Sequence, residues 1–153
     1  MLATGRKMAG EGELNIPGEN KREKPGNGTP GNHERSKGRV AEDCIFCQIA
    51  AGKIPSEVVY QDDRVVAFKD IRPVAPVHIL IIPRKHIPDL TAITPEDGDL
   101  IGYIHLVAVK LAREFGLADR GFRVVNNCKE EGGQAVFHLH FHLLGGRQLQ
   151  ILG

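Results

Sequence analysis

Three histidines alternate with apolar residues in the stretch FHLHFHLLGG, residues 137–146. They are His138, His140 and His142, three of the seven histidines in the chain. Residues two apart in a β-strand point to the same face, so this spacing predicts a row of imidazoles along one side of a strand. The residues between them are expected on the opposite, core-facing side: Phe137, Leu139, Phe141 and Leu143.

A row of imidazoles suits two kinds of chemistry. Imidazole has an ordinary pKa of about 6.5, so it is largely neutral at pH 7 and can attack phosphorus as a nucleophile. A neighbouring imidazole can then bond the phosphoryl oxygens or protonate a leaving group. Alternatively, two histidines of the row and a third nitrogen ligand could hold a catalytic zinc ion. The row by itself leaves both chemistries open.

The loop before the histidines favours phosphorus chemistry. It has the sequence EEGGQA at residues 130–135. Its glycines permit a close backbone turn whose consecutive N–H groups can bind an anion. Gln134 adds an amide donor, so we expect a phosphate site beside the histidine row.

The remaining pattern predicts an α+β fold with a mainly antiparallel, five-stranded sheet, one short helix and one long helix. SEVVYQ and RVVAFKD, separated by two aspartates, predict a hairpin, and GFRVVNN predicts a further strand. The continuous apolar run VHILIIP predicts a strand covered on both faces. The long helix is expected from about residue 95 to 115, capped by Thr94 and followed by Gly116.

Composition narrows the classes of protein and partner. The chain has 153 residues and a net charge of +1, which gives no electrostatic reason to expect nucleic acid or an anionic membrane as partner. No apolar run reaches the roughly 18 residues that a membrane-spanning helix needs. Residues 1–40 are rich in Gly, Pro, Asn, Glu and Lys, so we predict a disordered extension there and one globular domain at 41–153.

The cysteines indicate a reducing compartment. There are three, Cys44, Cys47 and Cys128, and the first two form a single CxxC. An odd number of cysteines is unusual for a disulfide framework, so we predict a cytoplasmic protein with free or metal-bound thiols. The CxxC could be a redox pair, half of a zinc site or two buried thiols.

Several longer motifs resemble the histidine triad (HIT) family, in particular its branch of small nucleotide-binding phosphoramidases. They are CIFCQIAAGKIPSEVVYQDD, DIRPVAPVHILIIPRKHI and GGQAVFHLHFHLLGGRQL, and the resemblance covers about residues 43–149. It implies a homodimeric hydrolase that binds purine nucleotides and cleaves nucleoside 5′-phosphoramidates, such as AMP amides, to release the nucleoside monophosphate. It implies no cofactor for catalysis itself.

The same resemblance implies roles for individual residues. His140 would attack phosphorus and carry a covalent nucleotidyl group, His142 would contact the phosphate or the leaving group, and His138 would orient the site. His78 would stand behind the nucleophile, although its apolar strand equally suits a core histidine. The nucleotide pocket would comprise Phe46, Ile49, Ile54, Phe68, Asp70 on the ribose, Ile71, Asn127, Gly133, Gln134, Ala135 and Val136.

The resemblance also gives the CxxC a partner set. In zinc-bearing relatives the ligands correspond to Cys44, Cys47, His86 and His138, and all four residue types are present here. The resemblance therefore implies a structural zinc ion.

Two positions depart from the pattern of this branch. Many relatives carry Ser or Thr where this chain has Ala135, so no hydroxyl is available there for the leaving group. The branch often continues into a Trp-Pro-Pro-Gly tail, where this chain has QILG. Two alternatives stay open: a dinucleoside polyphosphate hydrolase of the same fold and, because of Ala135, a nucleotide-binding or scaffold module with weak catalysis.

The long helix also bears on assembly. Tyr103, Val107 and other apolar residues flank its core-facing stripe, and we expect that a single small sheet does not cover all of them. An uncovered apolar face usually marks an interface, so this expectation agrees with the homodimer that the resemblance implies.

Overall fold

The computed structural model describes residues 43–152, and the α+β fold with an antiparallel sheet is confirmed. The elements are α1 (Ile45–Ala50), β1 (Val58–Gln61), β2 (Val65–Lys69), β3 (Val77–Pro83), α2 (Gly98–Glu114), β4 (Phe122–Val125) and β5 (Phe141–Gly145). The strands lie in the order β1-β2-β3-β5-β4, and every neighbouring pair is antiparallel. No helix in this range is long and apolar enough to cross a membrane. The predicted extension at residues 1–40 lies outside the described residues.

The central strand β3 is buried on both faces, as its continuous apolar sequence predicts. On one face the strands pack against α2, with Ile79 and Ile81 fully buried. On the other face Leu80 and Ile82 pack with Phe46 of α1. Because α1 has only six residues, it covers only part of this second face. The part of this face that α1 does not cover carries His78 and His142, since residues paired across strands share a face.

The start of α2 is fixed by Asp97, which lies in a short 3₁₀ turn, Pro95–Asp97. Its carboxylate accepts the backbone N–H of Thr94 at 2.9 Å and the ammonium of Lys85 at 2.6 Å. Gly116, just beyond the helix end, has a φ of +70°, which suits glycine. The predicted helix and its end signal Gly116 are confirmed, but Thr94 precedes the 3₁₀ turn and Asp97 is the N-cap of the helix itself.

The apolar side chains that α2 exposes to solvent differ from those that the sequence indicates. Val107 is 3% exposed and belongs to the core. Tyr103 is half-buried, and its hydroxyl donates to Asp62. The prediction that Val107 lies beside the core stripe is therefore wrong, whereas Leu106, 67% exposed, is an apolar residue of α2 that the sheet leaves uncovered.

The histidine-bearing segment is only partly a strand. Strand β5 begins at Phe141, so His138 and His140 precede the paired region. Leu139 enters the core as predicted, with its N–H bonded to the carbonyl of Ile87 at 2.6 Å. Phe137 is 60% exposed, so its predicted place in the core is wrong. The strict alternation of faces fails there because the chain joins the sheet only at β5.

The hairpin between β1 and β2 is closed by Asp62. One carboxylate oxygen accepts the backbone N–H groups of Arg64 and Val65 at 2.8 and 2.9 Å. The other accepts the hydroxyls of Tyr60, at 2.7 Å, and Tyr103 of α2. Burial acts to raise the Asp62 pKa, but these hydrogen bonds outweigh it and lower the pKa to about 2. The turn is thereby held against the long helix.

Asp62→Asn should lower the free energy of unfolding by about 1 kcal/mol at pH 7, because the hydrogen bonds to a charged acceptor are weakened. The folded pKa lies below the unfolded value, so this contribution is complete above about pH 4 and disappears as the pH falls through about 2. Urea unfolding of both proteins at several pH values measures it. Asp119→Asn, at an exposed turn, is the matched control. A difference that is the same at pH 7 and pH 2.5 would contradict this account.

Candidate active site and metal centre

His140 presents an unprotonated ring nitrogen. Its Nδ1 lies 2.7 Å from the backbone oxygen of His138, and a carbonyl can only accept, so Nδ1 carries the hydrogen. The lone pair is therefore on Nε2. The ring is buried, and the ring of Phe46 packs edge-on against it with centroids 5.2 Å apart. Its own carbonyl accepts the amide of Asn126 at 2.9 Å, which fixes the backbone beneath the ring. This is the geometry that an imidazole nucleophile requires.

His142 presents the opposite tautomer, and His78 sets it. The N–H of Val74 donates to His78 Nδ1 at 3.1 Å, so the hydrogen of His78 is on Nε2. That nitrogen lies 2.8 Å from Nδ1 of His142 and donates to it. The hydrogen of His142 is therefore on Nε2, which is buried and has no hydrogen-bond partner among the described residues. A free donor thus stands beside the nucleophile, with the ring centroids of His140 and His142 5.1 Å apart.

Burial keeps both members of the His78–His142 pair neutral. It lowers the pKa of His142 to about 4, aided by the neighbouring rings of His140 and His78 and opposed by Asp70. It also lowers the pKa of His78, again opposed by Asp70. Neutral rings are what the tautomers require, because a protonated His142 would have no acceptor on Nδ1.

Asp70 lies next to this pair. Its Oδ1 accepts the N–H of Arg72 at 2.8 Å, and its Oδ2 lies 3.3 Å from His78 Nε2. Its side chain is 19% exposed and that of His78 is 4% exposed. The carboxylate can thus contact His78 from one side and a ligand from the other.

The predicted nucleoside residues fall into a buried and an open set. Phe46 and Phe68 are buried, with ring centroids 5.6 Å apart, and Ile49 and Val136 pack beside them. Ile71 is 91% exposed. The remaining positions are half-buried or exposed at the surface: Ile54, Asn127, Gly133 and Ala135. The two phenylalanines therefore pack in the core, and they could line a nucleoside pocket as well.

Gln134 does not have the free amide that the sequence suggests. Its side chain is buried and donates to the carbonyls of Pro88 and Val136 at 2.7 and 3.0 Å. Its oxygen accepts the N–H of Lys129 at 2.8 Å. Both donors are committed, so the prediction that this amide is available to a phosphate is wrong. The side chain instead fixes the loop that leads into the histidines.

The expected anion-binding turn in this loop is also partly occupied. The N–H groups of Gly133 and Gln134 bond to the carbonyls of Glu130 and Lys129, each at 2.9 Å. Lys129 has a φ of +60°, and a Cβ on Gly132 would lie 2.3 Å from the carbonyl oxygen of Cys128. The glycines therefore serve the tight folding of the loop.

The third triad histidine, His138, belongs to a separate cluster of four residues that could bind a metal ion: Cys44, Cys47, His86 and His138. Each imidazole Nδ1 lies 3.3–3.4 Å from a cysteine sulfur, and the two Nδ1 atoms are 3.2 Å apart. Zinc with ordinary bond lengths of about 2.3 Å to sulfur and about 2.05 Å to nitrogen needs donor separations of about 3.3–3.8 Å. His138 Nε2 donates to the carbonyl of Pro83 at 2.8 Å, which turns its Nδ1 lone pair toward the cluster. The residues present fit zinc.

The protonation states in this cluster depend on a cation. Burial, and then the neighbouring Cys44, raise the pKa of the Cys47 thiol to about 11, so without a cation it stays protonated. Burial lowers the pKa of His138 to about 4, which leaves the neutral ring that a metal ligand needs. A divalent cation would convert the thiols to thiolates.

The three triad histidines do not converge on one metal position. His138 joins the cysteines, whereas His142 groups with Asp70 and His78. Among the described residues His140 belongs to neither group. This geometry speaks against a catalytic zinc ion held by the row itself.

Comparison with known proteins is decisive about the family. The family model of the HIT domain matches residues 51–149. The chain belongs to the HIT family. A purine nucleoside phosphoramidase of Escherichia coli K12 is 48% identical over 110 residues, which cover 72% of this chain and 92% of that protein.

Solved structures agree with this assignment. A histidine triad protein from Clostridium difficile superposes with a TM-score of 0.71 at 52% identity, covering 72% of this chain and 96% of the other. A HIT family hydrolase from Legionella pneumophila gives a TM-score of 0.70 at 49% identity, with coverage of 71% and 96%. The histidine site thus lies in an ordinary HIT fold.

Several groups that shape this HIT site are not predicted from the sequence. Three are backbone groups, the N–H of Val74 and the carbonyls of Pro83 and His138, and no residue pattern indicates a backbone partner. The sequence singles out Asn127 and not Asn126, whose amide donates to the carbonyl of His140. Arg84 is a further side chain that the sequence does not indicate. It donates to the carbonyls of Asp62, at 2.5 Å, and Ala50, at 2.6 Å, and so ties α1 to the hairpin.

Proposed function

We propose that this HIT protein is a nucleotide-binding hydrolase that cleaves the P–N bond of nucleoside 5′-phosphoramidates of the AMP-amide type. The observation that carries the proposal is the pairing of an unprotonated His140 Nε2 with the free N–H of His142. The name of the E. coli relative, purine nucleoside phosphoramidase, supports the same reaction.

In the first step His140 Nε2 attacks the α-phosphorus and the P–N bond breaks. The amine leaves with the bonding electron pair and takes up a proton. The phosphorylated imidazole is now cationic, and its Nδ1–H remains bonded to the carbonyl of His138. That bond stabilises the positive charge and holds the ring in line.

In the second step water attacks phosphorus, loses a proton, and displaces the imidazole. The nucleoside monophosphate is released and His140 returns to its neutral tautomer. The Nε2–H of His142 would donate to a phosphoryl oxygen in both steps, where negative charge develops. Ala135 has no hydroxyl, so the departing amine receives no help from that side chain.

The nucleoside would lie over the uncovered part of the sheet. Phe46 and Phe68 would form the apolar floor near His140, and Asp70 would accept ribose hydroxyls. Flat purine rings suit such aromatic and aliphatic surroundings.

His140→Asn should lower kcat for adenosine 5′-phosphoramidate by at least about a thousandfold, because the proposed nucleophile is removed. AMP affinity, measured by calorimetry, should change little. His105→Asn, an exposed histidine on α2, is the matched control. Wild-type enzyme quenched in acid-free conditions should show a nucleotidyl group on His140 by mass spectrometry.

Retained turnover in the His140→Asn protein would contradict the proposed nucleophile. Tight AMP binding without phosphoramidase activity in the wild type would instead favour the nucleotide-binding module. Faster cleavage of dinucleoside polyphosphates than of phosphoramidates would favour the polyphosphate hydrolase.

We also propose that the cysteine–histidine cluster holds a structural zinc ion. Two thiolates and two imidazoles complete a tetrahedron, so no position remains for a water molecule. Bound there, zinc would supply a cross-link between α1 and the segment that carries His140. The fit of the donor separations and the neutral His138 ring support this proposal.

Replacing both Cys44 and Cys47 by Ser should lower the melting temperature and raise KM more than it lowers kcat. The reason is that Phe46, between the two cysteines, packs against His140, whereas the nucleophile itself is untouched. Thermal unfolding, metal analysis and steady-state kinetics measure these effects, with Cys128→Ser as control. Metal-free wild-type protein, or an unchanged melting temperature, would contradict the zinc site.

A cytoplasmic location is part of the proposal. None of the three cysteines forms a disulfide, which suits a reducing compartment.

We propose a homodimer on different grounds from those that the sequence suggests. Leu106 on α2 and Phe122 on β4 are exposed apolar residues, and β4 is an edge strand of the sheet. Phe122 pairs with Gly145 on the face that α2 covers. A second copy related by a twofold axis would cover both.

Light scattering at micromolar concentration should therefore report about twice 16.8 kDa. Leu106→Glu should shift the protein toward the monomer, because a charge would be buried at the interface. A wild-type monomer at this concentration would contradict the assembly.

A further inference from the structure

We propose that Arg147 is a positioning residue for the reaction, because it holds the loop whose backbone sets the tautomers of His78 and His142. The inference rests on the proposed function and deepens it. It makes the donor that faces the phosphate depend on a surface arginine, which acts through Val74.

The loop between β2 and β3 has little apolar packing to fix its shape. Ile71 is 91% exposed and Val74 is 61% exposed. Among residues 71–76, all of which the structure describes, Ala75 is the one buried side chain. The position of the loop backbone therefore depends on the hydrogen bonds that reach it.

Val74 is held at both of its main-chain polar groups. Its N–H donates to His78 Nδ1 at 3.1 Å, and its carbonyl accepts Nη2 of Arg147 at 2.8 Å. Nη1 of Arg147 donates to the carbonyl of Gln148 at 3.0 Å, which keeps the guanidinium against its own segment of chain. A charged donor makes a stronger bond than a neutral one, so Arg147 is the firmer of the two holds on Val74.

Gly146 allows Arg147 to reach the loop. Its φ is +95°, a conformation that favours glycine, and a Cβ there would lie 2.9 Å from Cβ of Pro76. The segment that follows β5 can therefore pass directly against the loop. Arg147, the next residue, leaves the backbone beside Val74.

A displaced Val74 would change both histidine rings together. Without its N–H, His78 can carry its hydrogen on Nδ1 and leave a lone pair on Nε2. The 2.8 Å bond from His78 Nε2 to His142 Nδ1 then survives only if His142 carries its hydrogen on Nδ1. His142 Nε2, the buried atom without a partner among the described residues, would hold a lone pair where a phosphoryl oxygen needs a donor.

The kinetic test replaces Arg147 and measures cleavage of adenosine 5′-phosphoramidate. Arg147→Ala should lower kcat by about tenfold and change KM by less than about twofold, because the His142 donor acts on charge that develops in the transition state. Arg147→Lys keeps a charged donor, so its kcat should lie within about threefold of the wild type. Arg120→Ala, at an exposed arginine before β4, is the matched control and should keep the wild-type kcat.

A spectroscopic test does not depend on turnover. In Arg147→Ala labelled with ¹⁵N-histidine, the ring signals of His78 and His142 should both move toward the tautomer with hydrogen on Nδ1. The signals of His140 should stay unchanged, since the carbonyl of His138 holds its tautomer. The melting temperature should fall by no more than a few degrees, because Arg147 is exposed. A general loosening of the fold would instead move all three rings.

The outcomes separate the two proposals. An unchanged kcat, unchanged tautomers, or an equal shift of all three histidines in Arg147→Ala would each show that Arg147 does not position the pair. The proposed function would still stand, provided that the wild type cleaves the substrate and forms nucleotidyl-His140. If the wild type does neither, the proposed function is wrong, whereas the tautomer measurement still decides the role of Arg147.

Discussion

The site depends on the position of one buried side chain, His138, and on the three bonds that its backbone and ring make. Its Nε2–H donates to the carbonyl at the end of β3, its Nδ1 faces the cysteine cluster, and its carbonyl accepts the hydrogen of His140. The residue is fully buried, so none of these groups is exchanged with water. A shift of this residue would disturb the cysteine–histidine cluster and His140 together, so an ion in the proposed zinc site would influence the proposed nucleotide pocket without contacting phosphorus.

The sheet supplies the second constraint. Long α2 covers the centre of one face, whereas six-residue α1 covers only part of the other. Beyond α1 the sheet brings His78 and His142 together from neighbouring strands. The short helix has Cys44 at its N-cap and Cys47 in its first turn, so it bears on the proposed zinc site as well as on the proposed nucleotide pocket. Arg84 holds that helix by its C-terminal carbonyl.

Much of this architecture follows from local sequence. The hairpin around Asp62, the strand VHILIIP and the capped helix were predictable because turn chemistry, continuous hydrophobicity and helical caps act over a few residues. The predictions for Phe137, Val107 and the Gln134 amide failed for a different reason. Each depends on where distant elements meet: the point at which the chain joins the sheet, the breadth of the α2 core, and the carbonyl of Pro88. Likewise the sequence identified the histidines of the site. It could not predict their tautomers, because backbone groups of Val74 and His138 set them.

Those tautomers are what turn a row of similar rings into a site with distinct roles. His140 is held with its hydrogen on Nδ1 and His142 with its hydrogen on Nε2, and burial lowers the pKa of His142 so that its ring stays neutral near pH 7. One ring thus offers a lone pair where its neighbour offers a donor, which matches an electrophilic phosphorus beside negatively charged oxygens. If both rings had the same tautomer, the site would hold two nucleophiles and no donor, or two donors and no nucleophile. The chain avoids this by giving each ring a different kind of backbone partner, a carbonyl for His140 and, through His78, an N–H for His142.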